Sequence, residues 1–292
     1  ISTILNNLDP NSADGHLIVD QPHQELFYGR LLIGQMYKDG AFSANHSYYD
    51  SSGSEEYWEK SEMSYRLYPY LNDFENRINI YPILSPSNLE YFIDLFNSQG
   101  SIIKSYSLGN LISPSDKFIK HLINLEGVND SDVVSFGLKA ITGDKNKLPT
   151  RVTHQLVYGK GKIKCSINSS LFNEEIFRNP KYGTFSWGEL ILGKKYNSIL
   201  AIAGGVLPKD FQSKYKIEIS IYSVNKLILE QEFIINGGTC LNLKMNDIID
   251  TSSFKNNHNY FWYVIKSELH GLTAYTISWN IESNHCSGEH SF

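Results

Sequence analysis

Apolar residues along this chain cluster in runs of about four to eight, separated by Gly, Pro, Asn and Ser. This spacing is typical of β-strands joined by turns. Residues 218–222 alternate between polar and apolar side chains, as expected for a strand with one buried face. Helical periodicity is confined to two short segments, residues 114–122 and 241–249. The pattern therefore predicts an all-β protein.

An internal repeat predicts how the strands are organised. Residues 93–103 align with residues 219–229, and both segments are typical of a strand, a tight turn and a returning strand. The turns fall at Gln99-Gly100 and at Asn225-Lys226. The alignment predicts two tandem β-sandwich units that arose by internal duplication. We assign them to residues 74–173 and 196–292, joined by a linker at 174–195.

A shorter repeat describes the N-terminal segment, residues 1–73. Tyr28-Gly29 precedes His46 by the same interval that separates Phe136-Gly137 from His154. The shared pattern is an aromatic residue, a glycine, a strand, a turn and a strand that carries histidine. We therefore expect residues 1–73 to contain a hairpin that docks onto one or both units.

The repeated strand–turn–strand pattern resembles the small Ig-like sandwiches that are common in bacterial envelope and extracellular proteins. It covers about a quarter of each unit, as a fold-level likeness. It implies two Ig-like units and favours an extracellular or cell-envelope location, which the residues themselves leave unknown. The chain begins at Ile1 rather than Met, so we expect that a segment preceded it.

Composition and charge narrow the classes of partner. The 292 residues carry a net charge of −5 and contain no dense run of Lys and Arg that would favour nucleic acid. No stretch approaches the roughly 20 apolar residues needed to span a membrane. Nucleic acid and a membrane span are therefore not expected.

Catalytic motifs are missing from the sequence. It contains no G-x-S-x-G, no P-loop and no H-E-x-x-H. Whether the protein is an enzyme stays open. The leading hypothesis is a non-catalytic binding or structural module with a glycan or a protein as partner.

Aromatic residues crowd the segment that follows residue 47. Tyr48, Tyr49, Trp58 and Tyr65 alternate there with acidic residues and serine. Rings presented on a loop or sheet provide rigid contact area for a ligand, so these four are the predicted ligand-binding residues. The alternative is that this segment packs between the two units as an inter-domain plug.

Histidines provide the hypothesis from a different class, a metal-binding protein or metal-dependent enzyme. His46 and His154 occupy matching places in the shorter repeat, and the C-terminal tail adds His290. Cys286 or Glu289 is the predicted fourth ligand or acid–base group, since these side chains suit zinc or copper. The expected cofactor is accordingly either none or a single transition metal. The alternative is that the histidines are hydrogen-bonded structural residues.

Three cysteines, Cys165, Cys240 and Cys286, are too few for a disulfide framework. One bridge with a remaining thiol, three reduced thiols and a metal ligand are all compatible with this number.

Overall fold

The computed structural model of the protein describes ten segments of the chain. These are residues 32–36, 42–46, 58–81, 88–111, 118–143, 147–173, 183–204, 213–251, 259–269 and 271–291.

Twelve strands lie in the N-terminal part of the described chain. They are β1 (Leu32–Met36), β2 (Phe42–His46), β3 (Trp58–Glu59), β4 (Met63–Pro69), β5 (Glu75–Ile80), β6 (Leu89–Phe96), β7 (Ile102–Leu111), β8 (Ile119–Leu122), β9 (Ser135–Thr142), β10 (Leu148–Pro149), β11 (Val152–Gly159) and β12 (Cys165–Asn173).

Eight strands and one helical turn follow. They are β13 (Thr184–Leu192), β14 (Tyr196–Ala203), β15 (Lys214–Ser223), β16 (Lys226–Asn236), β17 (Cys240–Lys244), α1 (Met245–Ile248), β18 (Asn259–Ser267), β19 (Thr273–Asn280) and β20 (Cys286–His290). The predicted helical segment at 241–249 contains α1. By contrast, Ile119–Leu122, predicted as helical, forms β8.

The two halves of the described chain repeat one strand order. In the first, β7-β6-β9-β4 and β8-β5-β11-β12 are the two antiparallel layers, joined where the end of β12 pairs with β4. In the second, the layers are β16-β15-β18-β13 and β17-β14-β19-β20. The eight strands of each half can be numbered along the chain from β4 and from β13, leaving out the short β3–β10 pair. In both halves one layer then has the order 4-3-6-1 and the other layer the order 5-2-7-8. We call them the first and second sandwich.

This architecture confirms the all-β fold built from β-sandwich units. The shared strand order is the result that a duplication predicts. The two aligned turns lie in the hairpins β6–β7 and β15–β16, the second of them one residue earlier than predicted, at Val224-Asn225. The order differs from the ABED/CFG order of immunoglobulin constant domains, so the Ig-like resemblance lies in the sandwich architecture rather than in the connections. The domain boundaries stay a proposal, which we revise so that the units begin with β4 and β13.

One continuous apolar core runs through both sandwiches. At their junction the rings of Tyr68 and Tyr275 lie 6.1 Å apart, and Phe74 meets Trp279 edge-on at 5.4 Å. The ammonium of Lys160 lies 4.5 Å from the Phe74 ring and 5.2 Å from the Trp279 ring. Lys160 is exposed, so these cation–π contacts are each worth about 0.5–1 kcal/mol. The two sandwiches are therefore held together by packed side chains.

The predicted N-terminal hairpin is present in part as the antiparallel pair β1–β2. The side-chain amide of Asn168 on β12 donates to the backbone oxygen of His46, at the end of β2. The same amide lies 3.2 Å from Nδ1 of His46. These contacts anchor the end of the hairpin to the first sandwich.

Within the described residues, no helix has the length and apolar character that crossing a membrane requires.

Candidate functional site

His154 is held in the core of the first sandwich by two hydrogen bonds. Its Nε2 lies 2.5 Å from the hydroxyl of Tyr68, and its Nδ1 lies 3.2 Å from the backbone oxygen of Val152. A carbonyl can only accept, so Nδ1 carries the proton and Nε2 accepts from Tyr68. The Tyr68 hydroxyl in turn lies 3.1 Å from the hydroxyl of Ser169, which can donate to it. Both ring nitrogens of His154 are thus engaged.

Burial keeps His154 neutral. Desolvation, assisted by the positive charge of Arg66, lowers the pKa of His154 from 6.5 to about 3, against the opposing hydrogen bond to Val152. An imidazole whose Nε2 lone pair already accepts a hydrogen bond has no lone pair left for a metal. His154 therefore fits the alternative of a structural histidine.

The predicted three-histidine cluster is not formed. The rings of His46 and His290 lie 6.5 Å apart and meet edge-on, while His154 is bound to Tyr68. Over the described segments, no group of three or more His, Cys, Asp or Glu side chains is arranged to hold a metal ion. Glu289 accepts from the backbone N–H of His290 and lies 3.7 Å from Nε2 of that residue. Of the three predicted histidines, only His46 and His290 lie close to one another.

Among the described residues, none of the three cysteines belongs to a group of side chains that could hold a metal ion. Cys165, Cys240 and Cys286 are all buried and none is in a disulfide. Burial raises the pKa of each thiol, which disfavours the thiolate that metals and electrophiles need. Cys286, the predicted fourth ligand, faces the first sandwich, where its backbone N–H donates to the oxygen of Ile163 at 3.0 Å.

Of the four predicted ligand-binding aromatics, only Tyr65 has a described side chain. Tyr65 is only 3% exposed, because it packs against Gly137 on the neighbouring strand. Tyr48 and Tyr49 lie outside the described residues, as does the side chain of Trp58, whose backbone belongs to β3. Tyr68 contacts Tyr275 across the junction. Among the described rings of this segment, Tyr65 therefore lies inside the first sandwich and Tyr68 contacts the second, while a ligand-binding role for the other predicted aromatics stays a prediction.

An exposed aromatic surface lies instead on the second sandwich. Strand β13 alternates exposed Phe185 and Trp187 with buried Ser186, and β18 alternates exposed Tyr260 and Trp262 with buried neighbours. The exposed fractions are 65% for Phe185, 49% for Trp187, 61% for Tyr260 and 38% for Trp262. Side chains two residues apart on a strand share one face of the sheet. These four rings, with Tyr222 of β15, form what we call the aromatic face.

Strand register fixes the layout of the aromatic face. Tyr260 pairs with Ile191, and six residues further along β18 Lys266 pairs with Phe185. At about 3.3 Å per residue the rings extend over about 20 Å. The rings of Tyr222 and Trp262 stack at 4.3 Å and 15°, and the Trp262 indole N–H donates to the oxygen of Val224 at 3.0 Å. These contacts restrain Trp262 before any ligand arrives.

Charged side chains are interspersed among the rings. Glu189 pairs in register with Trp262, and Lys266 pairs with both Phe185 and Glu218. The ammonium of Lys216 lies 3.1 Å from Glu218 and 2.6 Å from Glu232 at one edge. Apolar ring faces thus alternate with donors and acceptors across the same surface.

A pocket of about 320 Å³ with a mixed polar and apolar lining adjoins the aromatic face at the junction between the sandwiches. Phe185 belongs to both, as a wall of the pocket and as one end of the face. The pocket is lined by residues of both sandwiches, among them Arg66, Thr184, Phe185, Thr273, His290 and Ser291. We call it the junction pocket.

The aromatic face was not predicted from the sequence, although part of its alternating pattern can be seen there. Phe185 and Trp187 are separated by one residue, as are Tyr260 and Trp262. In 260–263, however, all four residues are aromatic, so alternation does not say which pair faces solvent. The burial of Phe261 and Tyr263 against the opposite layer decides it.

Comparison with known proteins adds little to this geometry. No protein family matches the sequence, and no characterised protein matches it either. Among solved structures the chain is similar to a serine-rich repeat protein (Srr2) of Streptococcus agalactiae, at 10% identity, covering 79% of this chain and 93% of that one. The TM-score is 0.18, which carries no argument about function.

Proposed function

We propose that the protein is a non-catalytic binding module of a bacterial extracellular or envelope-associated protein, and that its aromatic face recognises a glycan. The observation that carries the proposal is the row of exposed rings at Phe185, Trp187, Tyr260 and Trp262. Soluble proteins rarely expose contiguous apolar patches of this kind unless the patch binds something. The location rests on the resemblance of the repeat to envelope and extracellular sandwiches.

A glycan suits this surface for a chemical reason. A sugar ring has apolar C–H faces and a rim of hydroxyl groups. Aromatic rings provide rigid, weakly hydrated platforms for the C–H faces at low entropic cost. Glu189, Glu218 and Lys266 stand beside the rings, where carboxylates accept from hydroxyls and an ammonium donates to them. A purely apolar partner would desolvate these charges without offering them hydrogen bonds.

Removing single rings is expected to weaken glycan binding strongly. Trp187→Ala and Trp262→Ala should each raise the dissociation constant at least about 30-fold, which corresponds to roughly 2 kcal/mol for a buried tryptophan anchor. Binding to an oligosaccharide array, followed by titration of the best ligand, measures this effect.

Leu122→Ala is the matched control, because Leu122 is 58% exposed on β8 of the first sandwich, outside the aromatic face. It should bind like the parent protein. Equal weakening by all three substitutions, or no glycan bound by the parent, refutes the proposal.

A further inference from the structure

The junction pocket lies where it can contact a substituent of a sugar that is bound on the aromatic face. Its volume of about 320 Å³ lies at the lower end of the range for small-ligand pockets, enough for a single sugar unit. Because Phe185 is shared, a ring stacked on Phe185 places its substituents at the mouth of the pocket.

The polar lining of the junction pocket contains hydrogen-bond donors. Arg66 donates through Nη1 to the oxygen of Ser170 at 3.0 Å and through Nη2 to Oγ1 of Thr273 at 2.6 Å. The hydroxyl of Ser291 accepts from the backbone N–H of Ala274 at 3.1 Å. Since the Thr273 and Ser291 hydroxyls each already accept a hydrogen bond, each can donate its own hydrogen to a ligand.

Positive charge accompanies these donors. An arginine side chain carries its charge at any physiological pH and matches the planar shape of a carboxylate. The field of Arg66 extends through the junction, where its charge contributes to the lowered pKa of His154. Lys266, opposite Phe185 in register, adds a second cation beside the pocket, with Glu218 as its partner on the other side and Glu289 next to the lining residue His290. Cations with hydroxyl donors favour an acceptor-only anion.

We infer that the junction pocket binds the carboxylate of an acidic sugar, so that the protein selects glycans containing uronic-acid units. This inference rests on the proposed function, because the aromatic face is what holds the sugar ring. Arg66 would pair with the carboxylate, while Thr273 and Ser291 donate to its oxygens.

The test uses oligosaccharides that contain uronic acid, each compared with its carboxyl-reduced form, in which the acid is a primary alcohol. The parent protein should bind the acid form at least about tenfold more tightly, the worth of one charge-assisted hydrogen-bonded contact. Arg66→Gln should abolish that preference, so that the acid and reduced forms bind the variant about equally. Ser291→Ala, which keeps the Arg66 hydrogen bonds intact, should reduce the preference about threefold or more and decides the matter if Arg66→Gln does not fold.

Equal binding of acid and reduced forms by the parent protein overturns the inference and leaves the proposed function standing. A preference for the acid form that survives in both variants also overturns it. If neither form binds, the proposed function fails together with this inference.

Discussion

Lowering the pH from about 7.5 to about 4.5 is expected to reduce the free energy of unfolding by about 3 kcal/mol through His154 alone. In the unfolded chain this histidine takes up a proton near its ordinary pKa of 6.5, whereas in the folded protein its pKa is about 3. Between those values the unfolded state binds more protons, so stability is fully present above pH 6.5 and is lost as the pH falls towards 3. Burial also lowers the pKa of His121, which adds in the same direction.

Urea unfolding followed by circular dichroism at the two pH values measures this loss. His154→Gln is the matched variant, because an amide oxygen can accept from Tyr68 but takes up no proton. Its unfolding free energy should fall much less on acidification than that of the parent protein. A parent protein with equal stability at both pH values, or a variant with the full pH dependence, contradicts the role given to His154.

Removing the Trp279 ring at the junction between the sandwiches is expected to lower the free energy of unfolding by at least as much as acidification does. Trp279→Ala should lower the free energy of unfolding by about 3 to 5 kcal/mol, the usual cost of replacing a buried tryptophan. Trp279 is 8% exposed and loses its contacts with Phe74 and Lys160 in this variant. Since one core runs through both sandwiches, the parent protein should unfold in a single transition.

Trp262→Ala is the control for the same residue type in the same sandwich. Trp262 is on the exposed aromatic face, so its removal should cost no more than about 1 kcal/mol. Calorimetry and urea unfolding compare the two variants. Similar losses in both, or two separate transitions in the parent protein, argue against the shared core at the junction.

Local patterns were sufficient to predict the β-sandwich units and the repeated hairpins. The alternation over 218–222 and the turns at Gln99-Gly100 and Asn225-Lys226 are short-range features, and they lie within the hairpins β6–β7 and β15–β16. The strand order could not be predicted in the same way. It depends on pairings such as β4 with β9, which join Met63 to Ile141 across a long stretch of chain.

Tertiary packing, which local patterns do not report, places two of the predicted site residues, His154 and Tyr65, in the interior. His154 has the residue type of a metal ligand, but Tyr68, 86 residues earlier, binds its Nε2. Tyr65 has the residue type of a ligand platform, but Gly137 on the adjacent strand makes room for its ring in the interior. Proximity of His46 to His290 was foreseen from the repeat and the C-terminal tail. The exposed rings on β13 and β18 were not predicted from the sequence.

Indole resonances report most directly on whether the aromatic face is the binding surface. The protein has four tryptophans, and those at Trp187, Trp262 and Trp279 can be assigned by single substitution in ¹⁵N–¹H spectra. Titration with the best oligosaccharide from the array should shift the Trp187 and Trp262 indole signals together, with one common dissociation constant, while the Trp279 signal at the junction stays in place. Saturable binding that leaves the Trp187 and Trp262 signals unmoved would contradict recognition through the aromatic face.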